Sequence, residues 1–270
     1  MAAAMRLQTN KLTSTSNVCR RTAVIVRAEK FTVTKPTLID APVSNHGARV
    51  RHVIYAKGLE GEVDIVSPMA LGGFGSEQFL AANPQNKMPI LLLPDGSSVP
   101  ESEVIAQYLL DKAGGGMQAP TPELRAVAAL ATRIHDQYIT PIQACMYRKM
   151  EAGERAALLQ QLVKQLDVLE GICVGPYIAG PDITTGDSAL FPTVVIMTYI
   201  LPRYFGWRDV FAGRPKLAAW WGRMQQDEHA KRVIAEVTSG LEKWSANNRW
   251  SELGIIQQLQ QHSEYKWVYP

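Results

Sequence analysis

The sequence predicts an α+β chain in two parts, a small N-terminal domain of mixed strands and helices followed by an all-helical C-terminal domain. Three observations carry this. Between Lys35 and Lys112 short β-rich runs alternate with stretches of helical spacing, a Gly- and Pro-rich segment interrupts at 113–121, and beyond it nearly every apolar pattern is helical. The 270 residues are enough for two modest cores. With 46% hydrophobic and 20% charged residues, a disordered or fibrous chain is excluded. Three cysteines (Cys19, Cys145, Cys173) are too few for a disulfide framework and point to a reducing compartment. The charge-free run Ser188–Pro202 has 15 residues and contains Pro192, so it reads as a buried core helix and not a membrane span.

The elements follow in order. Thr37-Leu38-Ile39 is a short apolar strand ending at Asp40-Ala41-Pro42. Residues 47–57 carry apolar side chains at 50, 53 and 54, a helical spacing that stops at Gly58. Residues 62–66 alternate like a second strand, and a helix over 76–82 follows a glycine-rich loop and ends at Asn83-Pro84. Pro89–Leu93 reads as a buried strand, Pro94-Asp95-Gly96-Ser97 as a turn into a strand near Ser98-Val99, and Glu101–Lys112 as a helix. That β-α-β-α-β-β-α order is thioredoxin-like. Helices are expected at about 122–150, 152–171, 186–204, 215–226 and 228–246. The organisation is thus 35–112 for the first domain, 113–121 for the linker, 122–250 for the helical domain and 251–270 for an extension. The extension has room for one more helix, which either folds over a pocket mouth or packs on the body.

The formal charge of +3 is unevenly spread. Residues 1–28 hold Arg6, Lys11, Arg20, Arg21 and Arg27, six Ser/Thr and no acid, the composition of an organelle transit peptide. Val26-Arg27-Ala28 resembles the end of a chloroplast leader, so the chloroplast stroma is the expected location, with mitochondrion and cytosol as alternatives. Without those five cations the body keeps 23 basic against 25 acidic residues, and a nucleic-acid partner loses its electrostatic basis.

Ser44 stands where the first helix should begin. It either caps that helix, a gain of about 1 kcal/mol, or donates its hydroxyl proton to an anion held at the helix's positive end. Lys87-Met88-Pro89 opens the central strand, where a cis Met88-Pro89 bond would turn the Met88 backbone outward as a clamp for an extended peptide. Glu101-Ser102 begins the next helix, offering amides and a hydroxyl to a carboxylate and an acid to an ammonium group. Each feature has a plain structural reading: cap, rigid turn, first-turn acid. Together they describe a pocket for a small zwitterionic peptide.

The set closely resembles the soluble glutathione S-transferase superfamily, Ser-type and plant or algal, over about residues 36–245. The matching residues are Pro42-Val43-Ser44 with Arg49, Asn83-Pro84, Lys87-Met88-Pro89 and Pro100–Ile105. Gly180–Asp187 is similar to the family's capping box and hydrophobic staple. The resemblance implies the two-domain glutathione transferase fold, glutathione as co-substrate and usually a homodimer. It implies Ser44 as the thiol-activating residue, with Lys87, Met88, Pro89, Glu101 and Ser102 holding the tripeptide. The partner would be a small electrophile, in detoxifying conjugation, or an organic hydroperoxide, in a peroxidase side activity. An acceptor pocket would be lined by Arg133, His135 and Tyr138 of the first helix of the helical domain. No cysteine lies between Cys19 and Cys145, which excludes a dithiol oxidoreductase. The five histidines never pair at metal-ligand spacing in sequence, so no metal is expected. The alternative is a non-catalytic carrier or protein-interaction module on the same fold.

Overall fold

The computed structural model describes residues 26–27 and 32–269. Within them a five-stranded sheet has the order β1-β5-β4-β2-β3, formed by β1 (Val26–Arg27), β2 (Thr37–Ile39), β3 (Asp64–Val66), β4 (Ile90–Leu92) and β5 (Ser97–Pro100). β2 and β3 are parallel, and β2–β4 and β4–β5 are antiparallel. Helices α1 (Asn45–Ala56), α2 (Glu77–Ala82) and α3 (Ser102–Lys112) complete the first domain. This is the expected thioredoxin-like order with boundaries shifted by one or two residues. β1 lies inside the segment expected as a leader and pairs antiparallel with β5. The rest of that expectation, residues 1–25 and Ala28, falls outside the described residues.

Register places the functional loops. Ile39 pairs with Ile90, and Ile90 pairs with Pro100. One step further along the same strands, Asp40-Ala41, Met88-Pro89 and Glu101 come side by side at one end of the sheet. The chain leaves β2 there, turns through Ser44 N–H donating to Ala41 O at 2.9 Å, and enters α1.

The second domain contains α4 (Pro122–Ile134), α5 (Ala152–Ile172), α6 (Thr185–Tyr204), α7 (Pro215–Met224) and α8 (Glu228–Ala246). The single helix expected over 122–150 is corrected. α4 widens into a π-turn at His135–Ile139, stops at Thr140, and a 3-10 turn follows at Gln143–Met146. Pro141 explains the stop, since it lacks the N–H that a continuing helix requires, although Thr140 before it keeps helical dihedrals. α6 is buried along most of its length in spite of Pro192 and Pro202. No described helix is long and apolar enough to cross a membrane.

Two short helices follow, α9 (Arg249–Glu252), which straddles the expected start of the extension, and α10 (Ile255–Gln261) within it, and this end of the chain packs on the body. Trp250 stacks on Tyr204 at 4.1 Å and donates to Met146 O at 2.9 Å. Trp207 donates to Trp267 O at 2.9 Å. These indoles fill core space and satisfy their single donors, as buried tryptophans require.

The two domains meet closely at one glycine. A Cβ on Gly240 of α8 would lie 2.7 Å from Val43 Cβ, so only glycine lets α8 press against the loop ahead of Ser44.

Candidate functional site

Ser44 is half-buried at the N-terminus of α1, and its Oγ accepts from Gly47 N–H at 3.0 Å. The capping role is therefore realised, using one lone pair and leaving the hydroxyl proton free to donate elsewhere. The loop ahead of it is braced by Arg51 of α1, which donates to Pro42 O at 2.7 Å and pairs with Glu236 of α8.

The Met88-Pro89 bond is cis, Pro89 is buried and Met88 half-buried. Lys87 is exposed, with its carbonyl accepting from Asn83 Nδ2 at 2.8 Å. Glu101 is exposed and has φ 73°, ψ 115°, a conformation that an L-residue with a side chain adopts at a cost of roughly 1–3 kcal/mol. No local signal in the sequence marks this strain, which tends to collect where ligands are clamped. Ser102 is buried, and its Oγ lies 3.4 Å from His46 Nδ1. His46 is two residues from Ser44, so the first turns of α1 and α3 are in contact. Five of the expected residues thus share one end of the sheet with Ser44.

Behind this edge lies a cluster that sequence spacing could not reveal. Arg49 is fully buried and donates from Nη2 to Asp136 Oδ1 at 2.5 Å and from Nη1 to Oδ2 at 3.2 Å. His135 Nδ1 lies 2.9 Å from Arg49 Nη2 and 2.8 Å from Asp136 Oδ1, and its Nε2 is 2.7 Å from Thr193 Oγ1. Asn45 Nδ2 donates to the same Thr193 oxygen at 2.6 Å and to Gln143 Oε1 at 3.1 Å. The first turn of α1 is thereby tied to α6, the π-turn and the 3-10 turn. Burial raises the Asp136 pKa, but His135 and Arg49 outweigh it and hold the carboxyl well below the usual carboxylate range. Burial, with Arg49 alongside, keeps His135 low and neutral. His46 is pushed down to about 3 by burial, then by His135 and Arg49.

Ligand atoms of His46, His135 and Asp136 all lie within 4.8 Å of one another, a proximity that their sequence spacing hides. The Arg49 guanidinium already stands against two of the three as the resident cation, and a divalent ion would meet it at contact distance.

The expected acceptor wall of Arg133, His135 and Tyr138 is corrected. His135 is fully buried in the Arg49 cluster, Tyr138 is exposed, and Arg133 borders a cavity of about 250 Å³ with Glu103, Gln107 and Arg125. Arg133 and His135 are two residues apart, about 200° around an α-helix, so they face opposite sides, and the π-turn shifts Tyr138 further from either. Cys145 and Cys173 are buried, and burial pushes their thiols up to about 12 and about 11. Thiols so placed are inert packing groups.

Comparison with known proteins gives the family to which this fold belongs. A family model described as glutathione S-transferase, N-terminal domain, matches residues 38–117, and one described as glutathione S-transferase, C-terminal domain, matches 152–223. A probable glutathione S-transferase of Oryza sativa subsp. japonica, GSTU6, is 32% identical over 195 residues, covering 65% of this chain and 82% of its own. A probable glutathione S-transferase of Zea mays, BZ2, is 33% identical over 215 residues, covering 74% and 90%. A Pseudomonas fluorescens glutathione transferase family member, solved with two glutathione molecules bound, superposes with TM-score 0.62 at 21% identity, over 74% of this chain and 92% of that one.

Proposed function

Because the chain belongs to the glutathione S-transferase family, we propose that it binds glutathione at the sheet end formed by Ser44, Met88-Pro89 and Glu101-Ser102, and activates the thiol through Ser44. The observation that supports this most directly is the register, which puts those three loops beside one another with Ser44 at a helix N-terminus. Glu101 offers a carboxylate to the peptide's ammonium group, while Ser102 and the α3 amides face its carboxylate. Lys87 supplies a cation and the Met88 backbone pairs with the cysteinyl unit.

The chemistry then follows from acidity. A free thiol near pKa 8.5 is only a few per cent ionised at neutral pH, and lowering it by two units takes about 2.7 kcal/mol. One charge-assisted hydrogen bond from Ser44 and the α1 dipole are together of that size. The thiolate attacks an electrophilic carbon, forming a C–S bond as the leaving group departs with its electron pair. With an organic hydroperoxide it attacks the outer oxygen, the O–O bond breaks to release an alcohol, and a second glutathione converts the resulting sulfenic acid to disulfide and water. Residues 1–28 serve in this reading as a chloroplast leader, and exposed Met69 and Phe74 contribute to a homodimer face.

Ser44→Ala tests the reading. The thiolate absorbance of bound glutathione, followed against pH, should give an apparent pKa at least a unit below that of the free peptide. In Ser44→Ala it should return close to 8.5, with kcat/KM falling about 100-fold and calorimetric affinity little changed. An undepressed thiol in the wild-type protein leaves Ser44 as a helix cap, and the carrier reading then takes over. Glu101→Gly separates strain from binding. It should relieve the positive φ and stabilise the fold by about 1 kcal/mol, after the entropy lost to glycine. Glutathione affinity should fall in the same variant. A melting temperature that drops would show that the Glu101 side chain supports the fold.

A further inference from the structure

We propose that Asp40 is a positioning residue that decides which way the Ser44 hydroxyl proton points, inward to the Asp40 carboxylate or outward to the glutathione sulfur. The proposal rests on the thiol-activating reading of Ser44. Asp40 follows β2 directly, and its side chain is 1% exposed. Its carboxylate fills the space that a Cβ on Gly47 would occupy, with Oδ1 only 1.7 Å from that point. Gly47 is the residue whose N–H caps onto Ser44 Oγ, so the Asp40 carboxylate and the Ser44 hydroxyl lie against the same residue.

Neither Asp40 oxygen has a well-aligned hydrogen-bond partner. Arg51 Nε of α1 lies 3.0 Å from Oδ2 but off the line of its N–H. The other charge facing Asp40 is Glu236 of α8, itself held by Arg51, by Tyr55 O–H at 2.7 Å and by Arg232 at 3.6 Å. From β3 comes only the Val66 carbonyl, which accepts from the Asp40 N–H at 2.9 Å.

The Ser44 hydroxyl has one proton and two lone pairs, and Gly47 N–H uses one of the pairs. An ionised Asp40 can only accept, so it draws the Ser44 proton inward and away from a sulfur. A protonated Asp40 donates to the second lone pair of Ser44 Oγ, which turns the Ser44 proton outward. Burial pushes the Asp40 carboxyl up to about 6, against the pull of Arg51, the Ala41 N–H and the Ser44 hydroxyl, so both states are populated close to neutrality. His46, the neighbouring titratable group, stays neutral through that range.

Asp40→Asn provides the test. Arg51 Nε draws the amide oxygen to itself, leaving the amide N–H to donate to Ser44 Oγ as a protonated carboxyl would. With glutathione and chlorodinitrobenzene as probes, the ratio of kcat/KM in Asp40→Asn to wild type should be near one at about pH 5 and rise roughly tenfold by about pH 8. The bound thiol pKa should fall by about one unit, and both effects should vanish in a Ser44→Ala background. If Asp40→Asn does not fold, the wild-type protein still decides. The Asp40 carboxyl carbon resonance must titrate, and its pKa must rise in Ser44→Ala, which removes the hydroxyl that favours the ionised form. A ratio independent of pH, or an Asp40 pKa unmoved by Ser44→Ala, overturns the proposal. A glutathione thiol pKa unmoved by Ser44→Ala removes the thiol-activating reading itself, and this proposal with it.

Discussion

Arg49→Ala is expected to destabilise the protein by about 3–5 kcal/mol, lowering its melting temperature by roughly 10 °C. Arg49 is buried and grips the Asp136 carboxylate with both terminal nitrogens, with Glu103 at 3.6 Å and His135 at 2.9 Å. Removing the guanidinium leaves two acids and an imidazole without their cation at the junction of the domains. Arg49→Lys should recover only part of the loss, because a point charge cannot reproduce the two-pronged contact. The pH dependence has a definite sign. The Asp136 carboxyl is depressed in the folded state, so its contribution is complete above the unfolded value near 4 and disappears as pH falls through the folded one. Wild type and Arg49→Ala should therefore differ most in thermal melts at neutral pH and converge below about pH 4. A constant gap would assign the loss to packing of the Arg49 side chain.

The same residue marks the limit of what the sequence discloses. Arg49 stands in it as part of a short motif with Ser44, but Asp136 is 87 positions away and nothing local connects them. The elements of the first domain are legible because each is a short apolar run closed by its own turn residues, such as Ile39 before Asp40 and Leu93 before Pro94. Ser44, Met88-Pro89 and Glu101-Ser102 are legible for a related reason, since each sits at a strand end or helix start where local chemistry is specific. Asp40 reads in the sequence as the end of a strand, and only the fold shows its carboxylate lying against Gly47. The expected helix over 122–150 stops ahead of Pro141, a breaker flanked by apolar helical spacing on both sides. Arg133, His135 and Tyr138 share no wall, because residues two apart on a helix point to opposite sides and the π-turn alters the step beyond them.

The second large effect concerns Asp187, and here the local motif was the right guide. Its carboxylate is wholly buried and accepts four hydrogen bonds. Oδ2 takes Thr184 N–H at 2.7 Å and Thr184 Oγ1–H at 2.8 Å. Oδ1 takes Ile178 N–H and Trp220 Nε1–H, both at 2.8 Å. One side chain thus joins the start of α6, the turn at Ile178 ahead of it and α7. Burial raises its pKa, and these four donors pull it back. Asp187→Ala strands four donors in a dry core, and a loss of about 4–5 kcal/mol is expected in denaturant unfolding. Asp187→Asn should fall between alanine and wild type for a structural reason. With the amide oxygen toward Ile178 and Trp220, its N–H can donate to Thr184 Oγ1, leaving only the Thr184 N–H unpaired. Equal losses for Asn and Ala would mean that the negative charge, and not the count of acceptors, holds this junction together.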